Sequence, residues 1–124
     1  MPHAVFDGKL DLSRILGSFA PLIWQDDLAI YKVTEVWLAS RRSVLLFECL
    51  IVSEGTDSPF FVEISIKNKG TVLRVSPMRD IERNELVFRF MAHLVTWLAD
   101  LYPDTTVLRH NLGDFYPGER DSDP

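Results

Sequence analysis

The chain has 124 residues, enough for one domain that removes about two-thirds of its unfolded surface from water. Its apolar share of 47% and charged share of 25% are ordinary for a globular protein. A net charge of −5 and a pI near 5.1 speak against a nucleic-acid footprint, which needs a basic face, and against docking on anionic membranes.

The opening "MPHAVFDGKL" has no basic segment followed by an apolar run, so it does not read as a signal peptide. No stretch reaches the roughly 18 consecutive apolar residues of a membrane span. Cys49 is the single cysteine, so no internal disulfide forms, which fits a reducing compartment. A cytoplasmic location is expected.

In "DLSRILGSFAP", Leu12, Ile15, Leu16 and Phe19 recur at i, i+3, i+4 and i+7. That spacing predicts a short amphipathic helix, capped by Asp11 and ended by Pro21. "LAIYKVTEVWLASRRSVLLFECLIVSE" is rich in β-branched and aromatic residues and is broken by "SRRS", which predicts two long strands and a tight turn. "GTDSP" is expected as a loop. "FFVEISIK" alternates, with Phe60, Val62, Ile64 and Ile66 on one face and Glu63, Ser65 and Lys67 on the other. "NKG" turns the chain, with Gly70 expected at positive φ. "TVLRVS" returns as a fourth strand that Pro77 stops. "DIERNELVFRFMAHLVTWLADLY" is a long helix followed by Pro103, and "TTVLR" adds a possible short edge strand.

The order α-β-β-β-β-α with short connections predicts an α+β two-layer domain. Its sheet is expected to be a four-stranded antiparallel meander. The long C-terminal helix lies on one face, beside a short N-terminal helix. The domain is expected over residues 1–113, and residues 114–124 as a flexible acidic tail.

The long helix is apolar around far more than the one stripe a packed face needs. Ile81, Phe88, Ala92, Val95 and Ala99 form one stripe, and Leu86, Phe90, Leu94, Trp97 and Leu101 an opposed one. Val87, Met91 and Leu98 join them across the back. Three covers are available: the N-terminal helix with Phe19, the C-terminal "TTVLRHNLGDFY", or a second chain.

The first hairpin is also apolar on both faces. With Arg41 and Arg42 at the turn, Leu38 faces Leu45, Val36 faces Phe47 and Thr34 faces Cys49 on one side. On the other, Trp37 meets Leu46, Glu35 meets Glu48, Val33 meets Leu50 and Tyr31 meets Val52. A slip of one residue would exchange these faces. Directly opposed Glu35 and Glu48 are unfavourable unless something relieves them.

Chemistry-bearing motifs are sparse. His3, His93 and His110 are scattered, there is no HExxH and no phosphate-cradling glycine loop, and Cys49 sits inside an apolar strand. No catalytic residue, metal or cofactor is expected. In size and acidity the chain resembles type III secretion chaperones, whose sheets carry an interrupting helix that this sequence lacks. Two function classes follow. One is a small acidic interaction protein of chaperone, adaptor or immunity type, self-associating as a homodimer or covering a protein partner. Its surface is expected at Leu86, Phe90, Leu94 and Trp97, or at Trp37 and Tyr31. The other is a small-ligand-binding protein or enzyme with a pocket around Glu35 and Glu48.

Overall fold

A computed structural model describes residues 2–39, 43–68, 70–77 and 85–116. In chain order these form β1 (His3–Asp7), α1 (Leu12–Ser18), β2 (Leu22–Gln25), β3 (Ile30–Leu38), β4 (Val44–Ser53), β5 (Thr56–Lys67), β6 (Gly70–Val75), α2 (Glu85–Leu101), β7 (Val107–His110) and a single 3-10 turn (Gly113–Phe115). The strands make one antiparallel sheet in the order β2-β3-β4-β5-β6-β1-β7, curled into a half-barrel.

The α+β class holds, but the four-stranded meander is overturned. β3 to β6 are the four strands expected, and three more extend the sheet: β2 beside β3 on one side, and β1 then β7 beyond β6 on the other. β1 escapes a local reading because it pairs with a strand about seventy residues away, His3 lying opposite Arg74. β2 is four residues long, too short to show a period. "TTVLR" does supply an edge strand, β7, shifted to Val107–His110.

Local chemistry explains several elements. Asp11 caps α1, its carboxylate accepting from the Ser13 and Arg14 amides at 3.0 and 3.2 Å. The β4–β5 connection is a two-residue turn with both Glu54 and Gly55 at positive φ, the twist that suits a hairpin. The loop expected at "GTDSP" is therefore the turn and the start of a twelve-residue strand. Pro59 is tolerated inside that strand because β4 alone flanks it there, β6 pairing only from Val62 onward. At the β5–β6 turn the positive φ falls on Asn68, not on Gly70. Gly70 is needed for room instead: a Cβ there would stand 3.2 Å from the Phe6 carbonyl oxygen. Buried Thr71 ties the β1–α1 connection to β6, its hydroxyl donating to Gly8 O and accepting from Leu10 N, each at 2.9 Å.

The core lies in the hollow of the half-barrel. Leu45, Phe47, Phe60, Val62, Ile64 and Leu73 line the sheet, and Val87, Phe90, Met91, Leu94, Val95 and Leu98 of α2 fill it; all are buried. The wide apolar arc of α2 is thus covered by a sheet that wraps it, not by a flat layer. On one flank Trp97 meets Phe47 edge-on at 6.4 Å, and Phe47 meets Phe19 beyond α1 at 6.2 Å. On the other, Phe88 stacks on Phe115 at 6.5 Å and Arg89 lies over the same ring at 5.3 Å. Tyr102 donates to the Asp11 carbonyl at 2.7 Å, joining the end of α2 to the start of α1. The chain's own termini therefore supply cover on both flanks. The domain boundary expected after residue 113 falls inside the 3-10 turn, and Phe115 and Tyr116 pack on the fold. Ile81 and Glu82 of the expected helix, the Arg41–Arg42 turn and residues 117–124 lie outside the described residues.

Candidate interaction surface

The hairpin of β3 and β4 decides which side chains reach the outer surface. Next to its turn the register is the expected one: Leu38 faces Leu45, Trp37 faces Leu46, Val36 faces Phe47 and Glu35 faces Glu48. Then Thr34 is skipped as a bulge, and Val33 faces Cys49, Lys32 faces Leu50, Tyr31 faces Ile51 and Ile30 faces Val52. One extra residue exchanges the two faces beyond it. Val33 and Tyr31, expected on the second face, turn inward and are fully buried. Thr34 instead donates its hydroxyl to Glu48, at 3.2 Å from Oε2.

Of the six residues expected to form an interaction surface, Tyr31, Phe90 and Leu94 are fully buried in the core, and Leu86 and Trp97 are half-buried against it. Trp37 alone among them is open, at 55% exposure. Glu35 and Glu48 are both exposed and directly opposed across β3 and β4.

Trp37 belongs to the outer, convex face of the sheet. Cross-strand pairing runs Trp37–Leu46–Glu63–Arg74–His3 across five strands. Neighbouring rows add Val44, Ser65, Val72, Val5 and Arg109 on one side, and Glu35, Glu48 and Phe61 on the other. Ile23 on β2, 65% exposed, sits opposite Lys32 and extends the apolar character to that edge. The Arg74 guanidinium pairs with Glu63 at 3.0 Å near the middle. Among the described residues both helices pack on the inner face, and none covers this one.

A second polar grouping joins the β2–β3 turn to α2. The Asp26 carboxylate accepts from the Leu28 and Ala29 amides at 2.8 and 3.0 Å, from the Tyr31 hydroxyl at 2.8 Å, and lies 3.4 Å from Arg89 Nη1. Burial pushes its pKa up, but the amide, hydroxyl and guanidinium contacts together hold it below its ordinary value. Tyr31 is driven the other way by burial and by its bond to the carboxylate. His93 stacks flat on Trp24 at 5.4 Å and tilts against Tyr31 at 5.3 Å; burial lowers its pKa, Asp26 opposing and Arg89 adding to that shift. These contacts tie the β2–β3 turn to α2.

Cys49 is buried on the inner face, and burial raises its thiol pKa well above the ordinary range. No group of three His, Cys, Asp or Glu among the described residues is arranged to hold a metal ion. No described helix is long and apolar enough to cross a membrane. The surface clefts lined by described residues include two. One, of about 330 Å³, lies between Arg14, Tyr102, Asp7 and Asp104. The other, of about 480 Å³, lies on the outer face over Val5, Val72 and Leu108. Neither includes Glu35 or Glu48. No family model, curated protein or solved structure matches the chain.

Proposed function

We propose that this protein is a non-enzymatic interaction module whose working surface is the outer face of the sheet around Trp37. The observation that carries the reading is the exposure of that indole on a face that also carries Leu46, Leu50, Phe61 and Ile23, with Glu35, Glu48 and Lys32 set among them and no described element over it. An exposed apolar field rimmed by charges marks protein–protein contact more often than idle surface. Aromatic residues with room on one side are the usual anchors of such contacts.

The module is read as acting inside the cytoplasm, where a buried, unpaired Cys49 stays reduced. Its function is to cover a partner or a copy of itself through this face. A photoreactive phenylalanine analogue at position 37, irradiated in cells, is expected to give discrete protein adducts. The same group at Ser13, exposed on α1, is the control. Adduct formation at position 37 no greater than at Ser13 defeats the reading.

A further inference from the structure

The cleft of about 330 Å³ lies where the end of β1, the helix α1 and the connection from α2 to β7 come together. Its lining holds two cations, Lys9 and Arg14, and two carboxylates, Asp7 and Asp104. Among the described residues no ion pair joins any of these four, so opposite charges stand around one opening without neutralising each other. Arg14 is held in place there. Its guanidinium lies over the Tyr102 ring at 5.1 Å, and the Tyr102 hydroxyl donates to the Asp11 carbonyl at 2.7 Å. The stack uses the face of the guanidinium and leaves its N–H edge for an acceptor. The acidic wall is tied down as well. The Thr105 amide donates to the Tyr102 carbonyl at 3.0 Å and its hydroxyl to the Asp7 carbonyl at 2.9 Å, which fastens the segment carrying Asp104 to the end of β1.

We propose that this cleft binds a small zwitterion, an aliphatic amino acid, with its carboxylate on Arg14 and its ammonium at Asp7 and Asp104. The site shares no residue with the surface around Trp37 and goes beyond the reading of that face. The pattern of signs selects the class of ligand. A simple anion meets Arg14 and Lys9 but is repelled by both carboxylates, and a simple cation meets the reverse. A molecule that carries both charges satisfies each wall. The free edge of a stacked guanidinium is preorganised for a carboxylate, which it takes through two parallel hydrogen bonds. Leu10 and Pro103 in the lining supply aliphatic contact for the ligand's side chain. The volume lies at the lower end of the range of small-molecule pockets, which suits a ligand of amino-acid size.

The test is a nuclear magnetic resonance titration of the full chain with L-leucine and two analogues that each keep one of its charges. 4-Methylpentanoate is leucine without the ammonium, and 3-methylbutylamine is leucine without the carboxylate. Leucine is expected to bind saturably with a Kd of about 1 mM or tighter and to move the amide signals of Lys9, Arg14 and Thr105. Each analogue is expected to bind about tenfold more weakly or worse. Arg14→Gln and Asp104→Asn are each expected to weaken leucine about tenfold or more. Arg14→Gln is expected to leave the amine analogue unaffected, and Asp104→Asn the acid analogue, a pattern that general damage to the cleft would not produce. Both positions are exposed, and circular dichroism of each variant checks that the fold is kept. No saturable shift with leucine up to about 10 mM overturns the proposal, as do shifts centred away from the cleft. A single-charge analogue that binds as well as leucine, or a variant that weakens all three probes equally, also overturns it.

Discussion

Single residues divide this chain into groups that hold the fold and groups that are left over from it. Asp26 belongs to the first kind: one carboxylate takes two amides, a phenol and a guanidinium, and so joins the β2–β3 turn to α2. His93 adds a flat contact on Trp24. Their shifted pKa values make stability depend on pH with a definite sign. His93 takes a proton less readily in the folded chain than at its ordinary 6.5, so the unfolded chain binds that proton first. Its contribution is complete above about 6.5 and is lost as pH falls toward the folded value. Asp26 is lowered from 3.8, so its contribution is present above that value and is lost on further acidification. Denaturant titrations from neutral pH downward are expected to show stability falling first as pH drops below about 6.5. His93→Gln is expected to flatten that first step and leave the more acidic one. A first step that persists in the variant would assign it to another group.

Elements in this fold depend on partners distant in sequence. β1 joins β6 to β7 and carries Ala4 and Phe6, both fully buried, into the hollow. Without it β7 has no neighbour and Phe6 leaves a hole in the core. Deleting residues 1–9 is therefore expected to abolish cooperative thermal unfolding, leaving a broad transition in near-ultraviolet circular dichroism. A sharp transition in the truncated chain would show that β1 is dispensable. The bulge at Thr34 has the same long reach within one hairpin. The residues before it are turned by one position, so Tyr31 and Val33 join the core while Glu35 and Trp37 stay outside.

At the scale of the whole molecule, a helix apolar nearly all round is explained by a sheet that curls about it. The inner and outer faces then differ in what a substitution costs. Leu94 is fully buried in the hollow, and Leu94→Ala is expected to cost about 2–5 kcal/mol in denaturant unfolding. Trp37→Asp, on the outer face, is expected to cost less than about 1 kcal/mol, the range of β-propensity effects at a surface strand position. It is expected to remove association. If Trp37→Asp unfolded the chain as readily as Leu94→Ala, the outer face would be structural and not a docking surface.

By itself, the order of residues determined the α1 cap and stop, the four inner strands β3 to β6, the course of α2 and the opposition of Glu35 to Glu48. Each rests on contacts between near neighbours: a carboxylate over the next turn's amides, a two-residue alternation, a hairpin closing on itself. The candidate surface was legible in part, since an indole opposite an aliphatic residue on a two-sided apolar strand signals excess surface. Tertiary structure decided the rest. It chose which of Trp37, Tyr31, Phe90 and Leu94 stay outside, because a bulge and a curl change which face is inward without changing composition. It added β1, β2 and β7, whose pairing energy comes from strands remote in the chain or from runs too short to show a period. It brought Val5, Val72 and Leu108 together into the outer-face cleft, since residues of three strands meet only once the sheet is assembled.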